Sequence, residues 1–178
     1  ATGGVNKIKA EITGPSNDFS KAGLYSVTYT ATDANSKTGS KTVSVLIKSP
    51  NAKQDDTSTL TIDAKGFTVE NADAKDLTET IVKNSAHAGV GAYQKTVDGE
   101  NNITGYTDIT SDVTIKASQL RVIQDAPVGG GIYNLTFTVT KDSKTVSTTV
   151  KVVVKGTSTP TPKPTPDGDS LAISASGF

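Results

Sequence analysis

Few residues in this 178-residue chain have side chains suited to chemistry. His87, in Ser85-Ala86-His87-Ala88-Gly89, is its one histidine, and there is no cysteine. A catalytic histidine needs an orienting carboxylate and a nucleophile, and no spacing here supplies them, so His87 reads as a loop residue. Without cysteine there is no thiol nucleophile, disulfide or zinc–thiolate site. A single histidine also excludes a histidine cluster around a metal. Carboxylates stand close at Asp55-Asp56 and at Asp108 with Asp112. A glycosidase needs two carboxyls ~5–9 Å apart across a sugar. Such sites usually add aromatic platforms, and tryptophan is absent, so that reading is rejected. Hard cations want several oxygens, and Asp55, Asp56, Asp98, Glu100, Asn101 and Asn102 are the calcium candidates. None stands in the Asp-x-Asn-x-Asp-Gly spacing, so solvated turn carboxylates are the plainer reading, with no cofactor expected. Gly129-Gly130-Gly131 precedes a strand rather than a helix and reads as a corner, not a phosphate cradle. Asn102-Ile103-Thr104 and Asn134-Leu135-Thr136 are formal glycosylation sequons. Tyr93 and Tyr106 are the best candidates for an exposed contact with a ligand.

The composition points the same way. Lysine plus arginine and aspartate plus glutamate are 18 each, a net charge of zero. Nucleic acid and anionic membrane both select a basic excess, so neither is expected as a partner. Hydrophobic residues make up 34% and aromatics 5%, a lean core. No apolar run approaches the ~18 residues of a membrane span, and no signal peptide is legible. An enzyme is not expected.

These residues sit among strands. Threonine and valine are β-branched and fit a pleated surface. In 24–32, Tyr25, Val27, Tyr29 and Ala31 share one face; in 132–140, Tyr133, Leu135, Phe137 and Val139 do. Val43, Val45 and Ile47 face inward in 42–48, as do Val146, Val150, Val152 and Val154 in 146–155. Alternation with one wet face predicts antiparallel sheets. Residues 33–37 and 141–144 read as hairpin turns, and 98–102 as a turn between strands near 90–97 and 103–107. The spacing of Leu77 and Ile81 predicts one short helix over 76–83, capped by Asn71 or Asp73.

The chain also repeats itself. Residues 23–32, Gly-Leu-Tyr-Ser-Val-Thr-Tyr-Thr-Ala-Thr, match 131–140, Gly-Ile-Tyr-Asn-Leu-Thr-Phe-Thr-Val-Thr, at an offset of 131 − 23 = 108. The match continues from 41–48 to 148–155, and upstream Ile8-Lys9-Ala10 matches Ile115-Lys116-Ala117. Residues 58–67, with a strand expected over 60–67, resemble 169–178 at an offset of 171 − 60 = 111. A repeat near 100 residues has the size of an immunoglobulin-like sandwich. The expected domains are a partial or small one over 1–48, a linker over 49–58 and a complete one over 59–156. A Pro/Thr-rich spacer over 157–169, of polyproline II type, and the first strand of a following repeat over 170–178 complete the chain. Residues 1–48 match only the second half of a repeat. The framing is read as a fragment boundary, as a shorter domain, or as a half-domain completed by strand 170–178 of another molecule.

The Gly-x-Tyr openings at Gly23-Leu24-Tyr25 and Gly131-Ile132-Tyr133, with the Lys/Thr/Val-rich closing strands 41–48 and 148–155, resemble bacterial immunoglobulin-like tandem repeats of Gram-positive cell-surface proteins. The resemblance covers 1–48 and 59–155. It implies an extracellular stalk or adhesin segment whose partners are neighbouring repeats and a host or cell-wall surface ligand, with anchoring left to a larger parent. It assigns Gly23 and Gly131 to tight corners, and Tyr25 and Tyr133 to buried rings with hydroxyls bonded to backbone. Surface domains of this kind often carry a Lys–Asn amide cross-link; Lys116 and Asn134 are the conceivable pair, both on faces expected to be exposed. The expectation is therefore a structural spacer. The alternatives are a self-assembling surface-layer or fibre subunit using strand 170–178, and a glycan- or protein-binding accessory module of a secreted hydrolase.

Overall fold

The computed structural model describes residues 5–157. The expected spacer 157–169 therefore lies almost wholly, and strand 170–178 wholly, outside the described residues. Eleven strands form three sheets among them, and the chain is mostly β as its alternation predicts.

The first sheet has the order β1-β2-β3, from Val5–Thr13, Gly23–Asp33 and Thr38–Ile47. The registers Ile8↔Ala31, Ile12↔Val27 and Val27↔Val43 put the apolar side chains of the three strands on one face. Among the described side chains on that face only Tyr25 and Val27 are buried, whereas Ile8 is 71% and Tyr29 46% exposed. Val43, Val45 and Ile47 are half-buried. The face expected to be inward is apolar but largely open.

The other two sheets enclose a common core. One has the order β4-β5-β7-β8, from Lys53–Gln54, Leu60–Asp63, Gly91–Val97 and Ile103–Asp108. Its partner has the order β6-β11-β10-β9, from Phe67–Glu70, Lys144–Lys155, Gly130–Lys141 and Thr114–Ile115. Leu60, Ile62 and Ala92 of the first meet Leu135, Phe137, Val150 and Val152 of the second in one cluster. At ~25 cal/mol per Å² of apolar surface removed from water, this burial is the main force holding the two layers together. The β10–β11 hairpin turns at Asp142 and Ser143, both at positive φ (49° and 62°), as a two-residue primed turn requires. Gln94 Nε2 donates to Asp142 Oδ2 at 2.6 Å and Lys144 Nζ to Thr59 Oγ1 at 2.7 Å, tying this tip to the facing sheet.

Five local expectations are corrected. The run 60–67 is not one strand: β5 and β6 lie in different sheets, and Ala64-Lys65-Gly66 crosses between them. The stretch 49–58 contributes β4, which pairs with β5. The single helix over 76–83 is two short ones, α1 (Asn71–Ala74) and α2 (Glu79–Lys83). Thr78, not Asn71 or Asp73, caps α2, its Oγ1 accepting from Ile81 N at 3.3 Å. A further helix, α3 (Ala117–Gln124), adds to the one short helix that was expected. Ile8-Lys9-Ala10 continues into Glu-Ile-Thr-Gly-Pro, which alternates and then stops at Gly-Pro. Its match Ile115-Lys116-Ala117 continues into Ser-Gln-Leu-Arg-Val-Ile-Gln, rich in unbranched helix formers. There Ile123 is fully buried and Leu120 packs on the core.

Candidate functional site

The signature tyrosines part company. Tyr25 is fully buried. Its hydroxyl donates to Lys21 O at 2.7 Å and lies 2.7 Å from Ser16 Oγ. Phe19 stacks at 4.8 Å between ring centroids, tilted by 58°. Here the β1–β2 loop folds back over the apolar face and makes a small core of its own. Gly23 has φ +141°, a backbone region that glycine adopts most readily, and a Cβ there would stand 2.6 Å from Pro15 Cγ. Tyr133 keeps only part of the assignment. It is half-buried against the core, and no partner for its hydroxyl is found among the described residues. The hydroxyl lies over Gly131, where a Cβ would approach it to 2.9 Å. The left-handed corner moves one residue back, to Gly130 at φ +72°.

The calcium candidates have other work. Asp98 Oδ1 accepts from Glu100 N and Asn102 N, both at 2.9 Å, and Oδ2 from Asn102 Nδ2 at 3.2 Å. The backbone of Asn102, then its side chain, holds the Asp98 carboxyl below the usual carboxylate range. Asp33 makes the same bracket in the β2–β3 turn, accepting from Asn35 N at 2.9 Å and Lys37 N at 2.8 Å. In both turns the third residue after the aspartate has positive φ, Ser36 at 62° and Asn101 at 64°. Asp55 braces the β4–β5 turn, accepting from Leu60 N at 2.7 Å and from Thr57 Oγ1 at 2.6 Å. Desolvation pushes its carboxyl up, but the bonds from Thr57, Leu60 and Thr59 outweigh it and leave a lowered pKa. Asp56 is exposed, and Glu100 accepts only from Asn102 Nδ2 at 3.4 Å. Among the described residues no group of three or more acids or histidines could hold a metal. Three hairpins thus use an aspartate to tie backbone N–H groups, a local competition that favours turns.

Tyr93 and Tyr106, expected to be exposed, are both half-buried. Tyr93 lines a narrow cleft with Gly23, Leu46, Ile47, Asp63 and Gly91, where the first sheet meets the second. Burial raises its pKa, and the charges of Asp108 and Asp63 add to this, against a hydrogen bond donated by the Leu24 backbone N–H. Tyr93 thus sits at the junction of the two sheets. Tyr106 faces Lys95 across the β7–β8 ladder. Asp108 caps the backbone of Thr110 at 2.8 Å, while Asp112 pairs with Lys141 at 3.0 Å. The two carboxylates therefore serve separate tasks. Lys116 and Asn134 are exposed, and Lys116 stands at the head of α3.

One concavity among the described residues has no counterpart in the sequence reading. A groove of about 630 Å³ runs beside β6, walled by Asp73, Asp76, Leu77 and Ile81. His87 closes one end, its ring edge-on to Phe67 at 5.1 Å and its Nδ1 3.0 Å from Asn84 Oδ1. Lys155 Nζ donates to Glu70 Oε1 at 2.7 Å on the rim. The only sequence signal was the Leu77/Ile81 spacing, which marks the helical wall.

No protein-family model and no curated protein matches this chain. Among the described residues, no helix is long and apolar enough to cross a membrane.

Proposed function

We propose that the chain is a non-catalytic spacer segment of a bacterial cell-surface protein, built from immunoglobulin-like repeats. Residues 59–156 are the complete sandwich and 1–48 the second half of another. The observation that carries this reading is the duplicated hairpin. Tyr25↔Val45, Val27↔Val43 and Thr28↔Thr42 in β2–β3 correspond to Tyr133↔Val152, Leu135↔Val150 and Thr136↔Thr149 in β10–β11. The threonine hydroxyls of both pairs meet at 2.9 Å. Aspartates committed to turns and tyrosines committed to packing fit a load-bearing role. The reading places the protein outside the cell, assigns it no cofactor or metal, and gives it neighbouring repeats and a surface ligand as partners.

A second reading is a fibre subunit, in which 170–178 of one molecule completes 1–48 of another. The open apolar face around Ile8 and Tyr29 favours it. Light scattering over a concentration series separates the two, using the full chain and a version ending at Thr157. The spacer reading expects monomers of both. A concentration-dependent polymer that truncation abolishes would overturn it in favour of the fibre.

A further inference from the structure

We infer that the groove beside β6 binds an extended basic polypeptide by strand addition. This inference goes beyond the spacer reading and does not depend on it. β6 ends its sheet, so its outer backbone edge has no strand partner among the described residues. The opposite edge of the same sheet is blunted: its strand β9 is only two residues long, and beyond it α3 lies along β10, where Gln119 Oε1 accepts from Thr136 N at 3.0 Å in place of a ladder bond. At β6 the structure instead provides a groove lined by Thr68, Val69 and Glu70 of the strand together with Asp73, Asp76 and Ile81 of the helical segment that follows. That is the arrangement of strand-addition sites, in which backbone bonds hold the peptide and alternate side chains are read by the wall.

The charges select the occupant. Lys155 is spent on Glu70 at 2.7 Å. Asp73 and Asp76 have no basic partner within ion-pair distance among the described residues. An added strand with lysine or arginine at alternate positions would set those side chains against Asp73 and Asp76. Its apolar residues would rest on the part-exposed Ile81. A second β6 would bring its own acids into the same rim and be repelled.

The test titrates the full, isotope-labelled chain with acetyl-Lys-Val-Lys-Val-Lys-Val-amide, and separately with its Glu-Val counterpart, at low salt. The expected result is amide shifts confined to 68–70, 73–77, Ile81 and His87 with the lysine peptide only. Asp73→Asn and Asp76→Asn, both at exposed positions, should each weaken binding about two- to fivefold. Added salt should weaken it further. The inference is overturned if neither peptide shifts these amides, if both peptides act alike, or if the shifts fall on 130–134 or the first sheet. Binding unchanged in the Asp73→Asn/Asp76→Asn double variant overturns it too.

Discussion

The β2–β3 and β10–β11 hairpins share a strand pattern and a register yet lie in different surroundings. Tyr29 and Phe137 occupy the same place, 108 residues apart, opposite Lys41 and Thr148. Phe137 is fully buried beneath the β4-β5-β7-β8 layer, and Tyr29 is 46% exposed. Alternation and turn chemistry set the register, since a one-residue slip would carry every apolar side chain to the wrong face. What covers the face is set by the rest of the chain. The β10–β11 hairpin draws its stability from tertiary cover. The β2–β3 hairpin relies on the Tyr25 cluster and on its own ladder.

The largest expected effect breaks this comparison at its centre. Phe137→Ala empties the core and should cost about 3–5 kcal/mol. Tyr29→Ala at the matching place should cost less than about 1 kcal/mol. Urea melts followed by probes in each sheet would read the difference, and equal losses would mean that the first sheet is covered after all. Next is the tyrosine pair. Tyr25→Phe orphans Lys21 O and Ser16 Oγ and should cost about 1–3 kcal/mol, whereas Tyr133→Phe should lie within about 0.5 kcal/mol of the parent. Thermal denaturation of both variants checks this.

The strands were legible in the sequence because period-2 alternation with β-branched residues is a local signal. Tyr25 was legible for the same reason, since Gly-x-Tyr opens a strand whose alternate residues are apolar. The failures were non-local. Tyr133 shares the motif, but the loop that closes over Tyr25 has no counterpart at Tyr133. Helix α3 was missed because what holds it is the core that Leu120 and Ile123 pack on. The break between β5 and β6 depends on two sheets that residues 60–67 cannot reveal. The groove joins β6 to α1 and α2 by packing, so no spacing announces it.

A third prediction concerns the aspartate turns. The Asp98 carboxyl is held down in the folded chain by hydrogen bonds from Asn102. Its contribution is therefore complete above the unfolded carboxylate value, about 3.9, and fades as pH falls through the lower folded value. Amide shifts of Glu100 and Asn102 should stay flat from neutral pH down to about that value and move below it. Asp98→Ala should abolish the transition, and a transition well above pH 4 would contradict the bracket. The smallest effect sharpens the likeness rather than the difference. Thr28→Val and Thr136→Val remove equivalent cross-strand hydroxyl pairs and should each cost under about 1 kcal/mol. Denaturant midpoints should fall by similar small amounts; a large loss in only one would show that the two ladders are not equivalent.

Amide hydrogen exchange, residue by residue on the intact chain, tests the central claim most directly. Local opening exposes an uncovered sheet far more readily than a core one. With register shared and cover different, Leu135 and Phe137 should exchange at least ~100-fold more slowly than Val27 and Tyr29 at the matching places. Equal protection across the two hairpins would contradict the account, because register and not cover would then govern their stability.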